Sequence, residues 1–221
     1  MNIYLGYNNM KYIAHRGLGS KYKQNSIEAV RDAIRNGYHG VEIDVQLCKT
    51  GEIVLAHDIY IDDGFIKDMS YERLKCVGIC TLNEVYESIP HIKNVLLLLD
   101  LKGGDSMLVE ALSEFYIGRS VRNVIVCSFN RKLLYSMPSY LKKGSTFEAR
   151  FHHTEYDHIL RGLTAVIIHW TCLDKDFISY CKRLCVSVYT YTHKNEKDLE
   201  HIRNFDIDGI ITDGITLQID N

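Results

Sequence analysis

Four short groups of residues carry the side chains that acid–base or metal chemistry requires: His15-Arg16, Glu42 with Asp44, His57-Asp58, and Asp100 with Lys102. Glu42 and Asp44 stand two apart in GVEIDVQL, an apolar run that reads as a strand, so both carboxylates project to one face while Val41, Ile43 and Val45 take the other. Two carboxylates aimed into an interior are costly unless positive charge offsets them. A divalent cation is the natural candidate, since oxygen ligands suit magnesium or calcium. Asp100 and Lys102 obey the same two-residue rule in NVLLLLDLK. Taken singly, each group has a plain structural reading: a strand-end histidine that hydrogen-bonds, a solvated strand end, an internal ion pair. Their gathering at the ends of successive strands shifts the balance toward function.

The elements that would position these residues alternate in type. Apolar, β-branched runs predict eight main strands, at 12–15, 41–45, 95–101, 123–128, 145–149, 165–169, 186–190 and 208–212, with a short extra strand at 52–58. Helix-period segments lie between them. Ser26 is the expected N-cap of a helix that Gly37 stops, and Thr81-Leu-Asn-Glu84 has capping-box form. Helices are also expected over 106–116, 131–137, 174–183 and 195–203. Strands alternating with helices imply βα units and a parallel sheet. Eight of them predict an α/β fold of the (β/α)8 TIM-barrel type, compact at 221 residues, with only a short insertion over about 59–80 between the second and third strands. A doubly wound open sheet is the alternative, but the Gly-rich phosphate loop it usually carries after its first strand is absent. A single domain over 1–221 is expected, because two prolines leave no Pro-rich linker and no internal repeat occurs.

Composition narrows the class further. A net charge of −2, with 46% hydrophobic and 24% charged residues, is that of an ordinary globular chain and gives no electrostatic footprint for nucleic acid. The seven cysteines form no Cys-x-x-Cys motif, which predicts reduced thiols and a cytoplasmic protein. The N-terminal stretch lacks the apolar run of a signal peptide, and Val95 to Leu99 is far too short to cross a bilayer. No stable membrane insertion is expected, and oligomeric state is unreadable.

Taken in order, the motifs resemble a known family. His15-Arg16-Gly17, Asn25-Ser26-x-Glu28-Ala29, Gly40-Val-Glu42-x-Asp44-Val45, Gly51-Glu-x-Val54-x-x-His57-Asp58, Thr81-Leu82-x-Glu84, Asp100-x-Lys102, Ser128-Phe129 and Asp208-Gly-Ile-Ile-Thr-Asp213 look like those of the glycerophosphodiester phosphodiesterases. The resemblance implies a (β/α)8 barrel, a divalent metal (Mg2+ or Ca2+) and hydrolysis of small-molecule glycerophosphodiesters to glycerol phosphate and an alcohol. It assigns catalytic roles to His15 and His57 and metal ligation to Glu42, Asp44 and Asp100. Arg16 and Lys102 would then clamp the phosphodiester, Arg16 through its bidentate fork. Trp170 and Tyr189, near strand ends, are expected to wall the glycerol side, with plain barrel packing as the alternative for Trp170. The chain departs from the family pattern at three places. Lys23-Gln24-Asn25-Ser26 stands where the family has Pro-Glu-Asn-Thr, Asp100 stands where it has Glu, and Tyr189-Thr190-Tyr191-Thr192 replaces Trp-Thr-x-Asn. Gln24 and the altered Tyr189 motif support an alternative function: an impaired barrel that binds phosphodiester or phospholipid headgroups without turning them over.

Overall fold

A computed structural model describes residues 10–19, 21–61 and 64–214. The N-terminal stretch read for a signal peptide therefore begins, in residues 1–9, outside the described part, as does 62–63 of the insertion. Eight strands form the wall: β1 (Lys11–His15), β2 (Gly40–Leu47), β6 (Leu96–Leu101), β7 (Val124–Ser128), β8 (Lys142–Phe147), β9 (Ala165–His169), β10 (Ser187–His193) and β11 (Gly209–Thr212). Each pairs in parallel with the next, and β1 pairs with both β2 and β11, so the sheet closes on itself. This is a (β/α)8 barrel. Short β3 (Ile53–Leu55) runs antiparallel on β2, and β4 (Tyr60–Ile61) with β5 (Gly64–Phe65) forms a separate small hairpin in the insertion.

Between the strands lie α1 (Ile27–Arg35), α2 (Tyr71–Cys76), α3 (Leu82–Ser88), α4 (Met107–Phe115), α5 (Arg131–Ser136), α6 (Tyr156–Leu160), α7 (Lys175–Arg183) and α8 (Glu196–Ile202). The capping signals act as expected. Ser26 Oγ accepts from Ala29 N, and Thr81 and Glu84 complete a reciprocal capping box. Helices α2 and α6 were not predicted. At six and five residues they are shorter than a readable period and exist because Leu74, Ile159 and Leu160 are buried by the fold.

Strand alternation divides the apolar residues between two environments. Val41, Ile43, Val45, Leu97, Leu99 and Val126 face the helices on one side of the barrel, and Val166, Ile168, Val188 and Ile210 do so on the other. Ile13, Leu98, Ile125, Ala165, Ile167, Tyr189 and Ile211 fill the interior. Room for the Tyr189 ring comes from Gly209, where an added Cβ would lie 3.1 Å from Tyr189 Cδ1 and 2.6 Å from the Lys11 carbonyl oxygen. Strand β8 begins earlier than predicted, because Lys142 and Lys143 disguise its start. Lys142 nevertheless pairs with Ile125 and sends its ammonium to the Arg122 carbonyl. Among the described residues no helix is long and apolar enough to cross a membrane, and all seven cysteines are free.

His193, at the end of β10, is fully buried, and its Nδ1 has no hydrogen-bond partner among the described residues. Burial pushes its imidazole down to about 4. Unfolded, it would take up a proton near 6.5, so stability falls as pH falls through the window between those values, by at most roughly 3 kcal/mol. His193→Gln is expected to flatten that slope in urea unfolding at pH 7 and pH 4.5. Equal slopes in the two proteins would show that the acid sensitivity lies elsewhere.

Candidate active site

At the C-terminal end of the barrel a cavity of about 150 Å³ is lined by His15, Arg16, Glu42, Asp44, His57, Asp100 and Lys102, together with Cys127, Phe129, Thr146, Ile167, Tyr191, Thr192 and Ile211. Parallel strand direction sets this end: His15, Asp100 and Ile211 stand in the last two residues of their strands and Arg16 and Lys102 just past them, while Glu42 and Asp44 lie inside β2, which runs on to Leu47. Register then sets the lateral order. His15 on β1 lies beside Glu42 on β2, and Asp44 lies beside Asp100 on β6.

The β1 exit is shaped by two consecutive left-handed residues, Arg16 (φ 54°) and Gly17 (φ 73°). Only glycine fits the second, since an added Cβ would lie 2.5 Å from the Ala29 carbonyl carbon. The turn points the Arg16 backbone N–H at Glu42 Oε2, 3.1 Å away, and returns the Arg16 side chain over the cavity. Arg16 Nε is 2.9 Å from Asp44 Oδ2, close enough for an ion pair but not aligned for a hydrogen bond, and Nη1 donates to Gln24 Oε1 at 3.2 Å. Gln24, where the resembling family has an acid, therefore meets Arg16. Asp44 is held most firmly. Asn25, itself left-handed at φ 57°, donates to its Oδ2 at 2.8 Å and accepts from its backbone N–H at 3.0 Å, while Lys102 Nζ lies 3.2 Å from Oδ1. Lys102 also donates to Asp100 Oδ2 at 2.5 Å. His15 Nδ1 faces Asp213 Oδ1, and the more exposed His57 pairs with Asp58.

Glu42, Asp44 and Asp100 are buried, and one oxygen from each lies within 4.8 Å of the others. Oxygens no farther apart than about twice a calcium–oxygen bond of 2.3–2.6 Å can share one ion. The charge balance makes the same point. Three buried carboxylates against Arg16 and Lys102 leave one negative charge. Burial, then the charges of Asp44 and Asp100, pushes the Glu42 carboxyl well up, and burial likewise raises Asp100 despite Lys102. Burial opposes the charge of Lys102, yet Asp100 and Asp44 outweigh it and hold its ammonium above the ordinary value. Asp100 Oδ1 has no hydrogen-bond partner among the described residues. Carboxylates raised in this way and an orphaned oxygen are what an uncompensated cation site looks like, so the three residues fit a metal ion.

Seven of the nine residues given a catalytic, metal or substrate role from sequence line this cavity; Trp170 and Tyr189 do not. Trp170 opens a 3-10 turn after β9, stacks on His169 and packs against the helix-side core. Tyr189 is buried one layer below the cavity because β10 runs on to His193 instead of stopping near 190. Tyr191, two residues further on and on the same face, takes the wall position and meets Phe129 edge-on. Asn25 and Asp213 stood within the quoted motifs, but nothing local marked their contacts. The polar Thr146, whose buried hydroxyl lacks a hydrogen-bond partner among the described residues, was hidden in a strand placed too late.

A model of the glycerophosphoryl diester phosphodiesterase family matches residues 15–110. The chain is 29% identical over 91% of its length to a glycerophosphodiester phosphodiesterase of Caldanaerobacter subterraneus subsp. tengcongensis, covering 93% of that protein. It is 25% identical to one from Bacillus altitudinis, over 92% of this chain and 94% of the relative. Among solved structures, a glycerophosphodiester phosphodiesterase of Thermotoga maritima superposes with a TM-score of 0.80 at 25% identity, over 92% of this chain and 94% of the other.

Proposed function

Since the chain belongs to the glycerophosphoryl diester phosphodiesterase family, we propose that it hydrolyses glycerophosphodiesters to glycerol phosphate and a free alcohol, with a divalent cation and with His15 and His57 sharing acid and base duty. The observation that carries this reading is one cavity holding two imidazoles, three carboxylates, a guanidinium and an ammonium.

Glu42, Asp44 and Asp100 would hold the cation, magnesium or calcium, which when bound polarises a phosphoryl oxygen as a Lewis acid. With it the charge of the five ionised groups changes from one negative to one positive, matched to a phosphodiester monoanion. Arg16 and Lys102 can bind the substrate without leaving Asp44. A guanidinium has five N–H donors and an ammonium three. Asp44 and Gln24 engage Arg16 through only Nε and Nη1, and Asp44 with Asp100 takes two of the three from Lys102. The remaining donors meet the non-bridging oxygens, where charge gathers in the transition state. One imidazole accepts the proton of the attacking water, or of a glycerol hydroxyl whose cyclic phosphate a water then opens, and the other protonates the oxygen of the departing alcohol as the P–O bond breaks. Phe129, 53% exposed at the rim, and Tyr191 form the apolar wall beside them.

Small soluble diesters are expected to be the better substrates. A panel of glycerophosphodiesters assayed with magnesium, calcium and chelator tests this. Release of glycerol phosphate is expected, faster from small headgroups than from lyso- or diacyl lipids in vesicles at equal concentration. Lipids outpacing the soluble diesters would overturn the substrate assignment, and binding without release under every condition would favour a headgroup-binding barrel.

A further inference from the structure

His15 makes one contact that the acid–base scheme leaves unused. Its Nδ1 lies 2.5 Å from Asp213 Oδ1, across 198 residues of chain. The contact is a product of barrel closure. Strand β11 pairs with β1 so that Thr212 stands beside Ala14, which brings together the next residue along each, Asp213 just past β11 and His15 at the end of β1. The second neighbour fixes Asp213 from behind: its backbone N–H donates to the His193 carbonyl at 3.0 Å, and the Thr212 hydroxyl donates to the same oxygen at 2.8 Å. Burial works against ionisation of Asp213, but the hydrogen bond and charge of His15, with Lys194 and Arg16 nearby, hold its carboxyl below the ordinary value.

An ionised carboxylate only accepts hydrogen bonds, so the ring nitrogen facing it must carry the hydrogen. In a neutral imidazole the lone pair is then on Nε2, which is turned toward Glu42 Oε2 at 3.9 Å, on the cavity side. We propose that Asp213 is a positioning residue for His15, fixing the ring orientation and the Nδ1–H tautomer so that Nε2 is the nitrogen that exchanges a proton with the reacting oxygen. This rests on the acid–base role assigned to His15 above. The companion pair differs in kind. His57 and Asp58 also meet, at 2.9 Å, but their side chains are 43% and 73% exposed, so water competes for that contact. Positioning by a carboxylate therefore belongs to His15 in particular.

The test combines kinetics with nitrogen-15 NMR of the histidine rings, the His15 signal being assigned by its loss in His15→Ala. Wild type is expected to show His15 with hydrogen on Nδ1 at a pH where the ring is neutral. Asp213→Asn, nearly isosteric, lets an amide donate to Nδ1 and is expected to populate the other tautomer. Its kcat should fall at least about a hundredfold, the scale of a lost general acid or base, with KM within about threefold. Asp213→Ala should lose the tautomer preference as well, while Asp58→Asn should leave the His15 ring signal unchanged. An unchanged His15 tautomer in both Asp213 variants, a kcat within threefold of wild type, or a loss confined to KM would overturn the proposal. If wild type cleaves no diester of the panel, the proposed activity fails, and the ring spectra still decide whether Asp213 sets the tautomer.

Discussion

Alanine at His15 or at His57 is expected to lower turnover at least about a hundredfold while the barrel stays folded. Loss of a proton-transfer group costs between about a hundred- and ten-thousandfold. Both rings stand at the cavity and outside the apolar clusters, so removing either deletes chemistry and little packing. The two variants should differ in one respect. His15 is anchored by Asp213 and adjoins Glu42, whereas His57 sits beside exposed Asp58, so His57→Ala should leave the unfolding midpoint nearly unchanged and His15→Ala should lower it slightly. Steady-state kinetics on the purified variants, with circular dichroism to verify the fold, checks both statements. A rate close to wild type in either folded variant would remove that histidine from the mechanism.

Removing divalent cations is expected to cost still more, at least about a thousandfold in turnover. Lewis-acid stabilisation of a phosphoryl transition state supplies several kcal/mol, and each 1.36 kcal/mol is a factor of about ten. The buried cluster amplifies the effect, because the cation supplies the excess of positive charge over Glu42, Asp44 and Asp100 that draws in the phosphodiester. Magnesium or calcium added back after chelation should restore the rate, and calorimetry should detect a site in wild type that Asp44→Ala abolishes. Asp44 is the choice for this variant because Asn25, Arg16 and Lys102 all converge on it. Its loss also leaves Lys102 and Arg16 without their shared buried carboxylate, so a lower urea midpoint should accompany the lost affinity. Turnover that survives exhaustive chelation within about threefold would remove the cation from the reaction.

Much of this site could be read along the chain, because the reading needed only local rules. Strand alternation alone puts Glu42 with Asp44, and Asp100 with Lys102, on a common face opposite Val41, Ile43, Leu99 and Leu101. Capping chemistry placed Ser26 and Thr81 at helix starts, and the alternation of strand with helix implied the parallel barrel that gathers strand ends at one mouth. Tertiary structure decided everything that depends on how far a strand runs and on which strands close the ring. Tyr189 and Tyr191 share a face, and two further residues of β10, not any difference in side chain, bury one in the interior and set the other in the cavity wall. Asn25 reaches Asp44 because a left-handed turn folds the β1–α1 loop back over β2. Asp213 meets His15 only because β11 hydrogen-bonds to β1, a closure no residue near either one announces. Side-chain direction along an extended chain follows from its two-residue period, whereas depth in a barrel and contact across its seam are properties of the closed sheet as a whole.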